Sequence, residues 1–222
     1  DFVAVGRDDG LAHYQQQPTA IDDDIAAART DEDTPIGFVI TDLLANDFAS
    51  RGAATQSRRI VAVETVSGLG LAFVVGDVVR FDPAGAFDGL AEGDLRSETL
   101  IYTLTDANGG SDRATLRLWI EGRNDAPITA ADQVVTGEDA PVQVTVAHLL
   151  ANDRDPDAGD VLSFSGVDAA GLAGTLTIDG NVLTYDPGGR FEFLSVGASA
   201  VETVTYTVQD RLGATAVGTL TI

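Results

Sequence analysis

The chain has 222 residues, 44% of them hydrophobic, and a formal net charge of -22 from 35 acidic and 13 basic side chains, all the basic ones arginine. Such acidity opposes nucleic acid or anionic lipid as a partner through long-range repulsion, and it favours multivalent cations. The lack of Cys excludes a disulfide scaffold, Cys-ligated zinc and a thiol nucleophile, and no apolar run reaches the roughly 20 residues of a membrane-spanning helix.

Residues 1–17 resemble nothing later in the chain and are expected to be an extension or the end of a preceding unit. They hold Tyr14 beside Gln15, Gln16 and Gln17. Asp22-Asp23-Asp24 precedes the first expected strand, and Glu32 follows. Thr41–Leu44 reads as one helical turn. Arg59–Val66 and Ala114–Ile120 alternate with period two, which predicts strands with one buried and one wet face. Asn108-Gly109-Gly110 predicts a tight connection between the last two strands of this half. Further on, Val146–Leu150 reads as a second helical turn, Asp179-Gly180-Asn181 as a hairpin turn and Glu202–Val208 as another alternating strand. Val, Ile, Leu and Thr are too abundant and too patterned for a disordered acidic chain. The absence of Met predicts a processed or excised piece of a longer protein, with no signal peptide remaining.

The chain repeats itself. Asp31-Glu32-Asp33-Thr34-Pro35 returns as Gly137-Glu138-Asp139-Ala140-Pro141, and Leu43-Leu44-Ala45-Asn46-Asp47 returns unchanged as Leu149-Leu150-Ala151-Asn152-Asp153. Phe81-Asp82-Pro83 matches Tyr185-Asp186-Pro187, and Glu98–Asp106 matches Glu202–Asp210, with Tyr102 answering Tyr206. The expected fold is all-β: two tandem antiparallel sandwiches of the Ig/cadherin kind, seven strands each, over residues 18–125 and 126–222. Asn124-Asp125-Ala126-Pro127 forms the joint, its proline ending one strand and stiffening the connection.

Carboxylates crowd in the second copy, where Asp153, Asp155, Asp157 and Asp160 fall within eight residues. Calcium takes six to eight oxygens, and alternating Asp residues supply them. A solvated acidic turn is the alternative reading. An EF-hand is excluded, because Pro156 intrudes and Phe164 stands where the closing Glu belongs. The first copy has Ala49, Arg51 and Ala54 opposite Asp155, Asp157 and Asp160, which predicts a dead site there and unequal metal occupancy. Glu32, Glu138, Asn124, Asp125, Asp106 and Asp210 are weaker candidates, each read alone as a surface or turn residue.

The motifs resemble a known family. Asp82–Leu90, Glu98–Gly110 and Asn124–Pro127 together look like the VCBS repeat, while Leu44–Asp47 and Leu150–Asp157 resemble bacterial cadherin-like repeats. The resemblance covers residues 18–222. It implies calcium-dependent, RTX-type surface adhesins of bacteria, built from many sandwiches in series and exported by type I secretion. By the cadherin analogy, calcium at the joint would take Glu32 and Asp106 from the first copy, Asn124 and Asp125 from the joint, and Asp153, Asp155 and Asp157 from the second copy, with Asp160 in support. The implied role is a semi-rigid, calcium-stabilised extender in cell adhesion and biofilm formation, secreted to the bacterial surface. Its partners would be neighbouring repeats of the same chain, with surface glycans or other cells reached through other domains. It is expected to be a monomer, bound neither to nucleic acid nor into a membrane.

No catalytic constellation is legible. His13 and His148 have no repeated Ser or Asp partners, and His148 stands where the other copy has Asp42, so it reads as structural. The alternative function is a carbohydrate- or ligand-binding sandwich. Its aromatic platform would be Trp119, which points to the same side of its strand as Arg117 and away from Leu118.

Overall fold

The computed structural model describes residues 2–8, 11–25, 28–50 and 57–222, with residues 2–16 described by backbone pairing alone. The chain divides into two compact units, Asp1–Arg123 and Asn124–Ile222.

In the first unit, β1 (Phe2–Asp8) and β2 (Leu11–Gln16) pair only with each other, as an antiparallel hairpin. The sandwich follows. Its strands are β3 (Arg29–Asp31), β4 (Ile36–Val39), β5 (Arg59–Thr65), β6 (Leu71–Val75), β7 (Val78–Asp82), β8 (Leu95–Thr105) and β9 (Ser111–Glu121). One sheet has the order β3-β9-β8-β5 and the other β4-β7-β6. Alternation builds the core: Ala114, Leu116, Leu118 and Ile120 of β9 and Leu100, Tyr102 and Leu104 of β8 turn inward and are buried, joined by Phe38, Val79, Phe81 and Phe87. The helical turn expected near residue 41 is α1 (Ile40–Leu43), which buries Leu43.

The second unit repeats the plan with β10 (Asp132–Gln133), β11 (Val142–Thr145), α2 (Val146–Leu149), β12 (Ser163–Asp168), β13 (Thr175–Asp179), β14 (Val182–Asp186), β15 (Thr203–Gln209) and β16 (Thr215–Thr221). Its sheets run β10-β16-β15-β12 and β11-β14-β13. Seven strands per sandwich are present among the described residues, in two antiparallel layers except for the short parallel pairs β3–β9 and β10–β16. Gly180 at φ 57° turns β13 into β14, and Gly109 at φ 80° turns β8 into β9. Both are left-handed positions that a residue with a Cβ occupies at a cost.

One reading of the sequence needs correction. Arg59–Val66 looks like unbroken alternation, but the register of β5 against β8 slips between Ile60 and Ala62. The bulge turns Val61 out to 49% exposure. The same slip occurs between Phe164 and Gly166 of β12, so both copies carry it at the same place.

Candidate metal centre

The acidic loop of the second unit leaves α2 and is anchored at once. Arg154 and Ile128 exchange both backbone hydrogen bonds, at 2.8 and 3.0 Å. Past that bridge, Asp157 N–H donates to Asp155 Oδ1 at 3.0 Å and Asp160 N–H to the Asp157 carbonyl at 3.2 Å, while Gly159 turns at φ 83°. These local bonds fold Asp155–Asp160 into a tight turn with its carboxylates gathered. The β15–β16 connection then adds Asp210, 4% exposed, whose Oδ1 accepts from Gly213 N–H and Ala214 N–H. One oxygen each of Asp155, Asp160 and Asp210 lies within 4.8 Å of the others.

The first residues of the unit are tied to the same place. Asn124 Nδ2 donates to Asp210 Oδ2 at 2.7 Å, and Asp125 N–H donates to Asp157 Oδ2 at 2.9 Å. Two oxygens stay buried with no hydrogen-bond partner, Asp155 Oδ2 and Asp157 Oδ1. Burial raises the affinity of Asp155 and Asp157 for protons, and the charges of Asp160 and Asp210 push the same way. For Asp210 burial also favours the neutral acid, but donors from Asn124, Gly213, Ala214 and Leu212 outweigh it and hold the carboxyl below its usual range. Arg211 approaches Asp160 only at 3.8 Å and is 65% exposed, so it neutralises little. Gathered carboxylate oxygens, some without donors, are the donor set a hard divalent cation requires, and the residues fit calcium.

The structure sorts the sequence candidates. Asp155 and Asp160 come together with Asp210, and Asp157, Asp125 and Asn124 are bonded into the same loop. Asp153 is engaged elsewhere: it accepts from Ala130 N–H at 2.9 Å and from the Tyr206 hydroxyl at 3.3 Å, beside Asp132, which accepts from the same hydroxyl at 2.7 Å. Its equivalent Asp47 is held the same way by Ile21 N–H and Tyr102, with Asp23 as the second carboxylate. Asp153 therefore belongs to an Asp–Tyr–Asp pin present in both units, in which the tyrosine and one carboxylate are buried and the other carboxylate is half-buried.

Asp106 also differs from expectation. Its carboxylate accepts from Ser50 N–H at 2.8 Å and Asn108 N–H at 3.0 Å within the first unit. Burial favours its protonation, yet bonds from Ser50, Asn108 and Gly110 hold it acidic. Asp210, at the same strand end, is the residue that reaches the second unit's loop. Its signal in the sequence was its position opposite Asp106, the residue the family analogy named at that strand end. Glu32, 1% exposed, accepts from Arg123 N–H at 2.7 Å in the first unit. Arg51 and Ala54, read as the residues that kill the first copy's loop, lie outside the described residues, as do the side chains of His13 and Tyr14. His148 is exposed and closes α2 through its N–H to Thr145 Oγ1, and Trp119 is 43% exposed on β9.

Residues 124–222 match the bacterial cadherin-like domain family, and residues 15–119 match the bacterial Ig domain family. None of the curated proteins matches the chain by sequence. Among solved structures, the chain is similar to the human desmocollin-1 ectodomain at 14% identity, with a TM-score of 0.41 over 87% of this chain and 34% of that one. It is also similar to human mucin-like protocadherin EC1-2, at 16% identity and a TM-score of 0.35, over 95% of this chain and 97% of that one. The chain spans about a third of the desmocollin-1 ectodomain and half of the protocadherin gamma B7 segment it also matches. By its own strand pairing the chain is two β-sandwiches in tandem, the first similar to the bacterial Ig domain family and the second to the bacterial cadherin-like domain family.

Proposed function

We propose that this chain is a calcium-stabilised pair of repeats from a large adhesin on the bacterial cell surface, a non-enzymatic stalk that holds binding domains away from the cell. The observation that carries the reading is the pair of buried oxygens without hydrogen-bond donors, Asp155 Oδ2 and Asp157 Oδ1, beside the carboxylates of Asp160 and Asp210. Bound calcium supplies the positive charge and the oxygen coordination that these groups lack. Without it, the loop carries unrelieved repulsion.

The coupling to stiffness runs through the chain itself. Asp157 and Asp210 hold the Asp125 backbone and the Asn124 side chain, so whatever orders the loop also orders the first residues of the second unit. Pro127 follows at once and restricts the backbone further. At millimolar extracellular calcium even a site of about 10⁻⁴ M is mostly filled, and binding to the ordered state alone adds stability by mass action. Neighbouring repeats of the same chain would be the direct partners, and other cells or glycans would be engaged by other domains.

Titration calorimetry tests the site: the parent is expected to bind calcium, and Asp155→Ala with Asp157→Ala to lose most of the heat. A double mutant that titrates like the parent refutes it. Small-angle scattering tests the stalk, because an unchanged maximum dimension in chelator leaves the ion no part in rigidity.

A further inference from the structure

The two units present different outer faces to solvent on the same three-stranded sheet. In the second unit, the β13 residues that point outward are Thr175, Thr177 and Asp179, opposite Asp186, Thr184 and Val182 of β14, with Gln143 and Thr145 on β11. This is the wet face expected of an antiparallel sandwich. At the same register, the first unit has Leu71, Phe73 and Val75 on β6, opposite Asp82, Arg80 and Val78 of β7, with Gly37 and Val39 on β4. Leu71 is 57% exposed, Phe73 39%, Val75 55% and Val39 47%. β6 is also the edge of its sheet. An exposed apolar row on one copy, where the homologous copy is polar, marks an interaction surface.

Its charges identify the occupant. Arg80 sits in the middle of this face and makes no ion pair among the described residues, although acidic side chains outnumber basic ones 35 to 13. Asp82 lies two residues along the same strand and therefore on the same side, about 7 Å away by strand geometry. The geometry points to a second copy of this chain as the partner. The two faces pack with strands antiparallel about a twofold axis that crosses β7 at the level of Phe81. That axis sets Arg80 against Asp82 of the second copy and Phe73 against Leu71 of the second copy, each contact made twice. Three short strands cover a footprint of roughly 15 by 17 Å, well below the about 800 Å² per partner of a stable complex. The contact is therefore weak, and the dimer is expected only at high protein concentration. Two chains of charge -22 also repel each other, so the pairing requires screening.

Analytical ultracentrifugation of the whole chain across a wide concentration range, at low and at high salt, tests this. The parent is expected to be monomeric at low salt and to approach dimer mass at the highest concentrations when screened. Phe73→Thr, the residue of the second unit, should weaken that association at least tenfold. Arg80→Asp and Asp82→Arg should each abolish self-association, and mixing the two variants should restore a heterodimer, since each then supplies the charge the other lacks. Far-UV circular dichroism checks that the variants remain folded. A parent that stays monomeric at every salt and concentration overturns the proposal. So does a dimer that survives Phe73→Thr, or a charge-swap mixture that stays apart.

Discussion

Asp125 donates its backbone N–H to Asp157 at 2.9 Å, tying the second residue of the unit to the tip of an acidic loop 32 positions later. A polar backbone group at the joint is thus held by the loop whose carboxylates mutually repel. Asp157→Ala removes that acceptor. Hydrogen exchange of the Asp125 amide is expected to speed up in the mutant whether or not calcium is present, while in the parent calcium slows it. Mass-spectrometric exchange over residues 120–130 checks this.

Asp155→Asn separates repulsion from ligation. The Asn oxygen can still accept from the Asp157 amide, but the charge is gone. In chelator the second unit is expected to melt higher than the parent by a few degrees. In calcium the order reverses, because a ligand has been weakened. Calorimetric melting in the two buffers reads both signs.

Acid should affect the first unit through its Asp–Tyr–Asp pin. Burial raises the affinity of Asp23 for protons, aided by the charges of Asp47 and Asp22 and opposed by bonds from Tyr102 and Asn46. Burial does the same to Asp47, aided by Asp112 and opposed by Ile21, Tyr102 and Arg58. A carboxyl whose folded value lies above its unfolded one stabilises the fold when protonated, and that contribution is lost as pH rises through the folded value. This part of the stability is therefore expected to fall as pH rises above the ordinary carboxylate range of about 4. Asp23→Asn should flatten that slope and raise the melting temperature at pH 7, with little change at pH 4. A slope equal to the parent's counts against the pin.

Glu98 is 3% exposed and accepts from Ser67 N–H at 3.3 Å, from the Ser67 hydroxyl and from Thr99 N–H at 3.0 Å. Glu98→Ala leaves these donors without an acceptor and is expected to cost about 1–3 kcal/mol. Glu98→Gln, which keeps one oxygen, should cost less. Urea unfolding measures both.

Gly218 lies opposite Tyr206, and a Cβ there would stand 2.2 Å from the ring. The first unit has Ala114 at the corresponding place opposite Tyr102. Gly218→Ala is expected to destabilise the second unit by about 1–3 kcal/mol through overpacking and to displace the Tyr206 hydroxyl from Asp132 and Asp153. An unchanged melt with an unchanged tyrosine signal would show that the ring shifts freely.

The sequence by itself determined the duplication, the two β-sandwiches, the place of their short helical turns and which loop collects acid. These follow from local patterns: period-two alternation places a strand's faces, and a repeated motif implies a repeated fold. It did not determine which carboxylates meet. Asp153, adjacent to the acidic run, belongs to Tyr206, whereas Asp210, far along the chain, belongs to the loop. Likewise the apolar face of Leu71, Phe73 and Val75 becomes a surface only because β6 forms a sheet edge beside β7, where Arg80 and Asp82 lie. Strand ends distant in sequence are brought together by sheet order and register, so the tertiary structure decided both the membership of the carboxylate cluster and the character of that face.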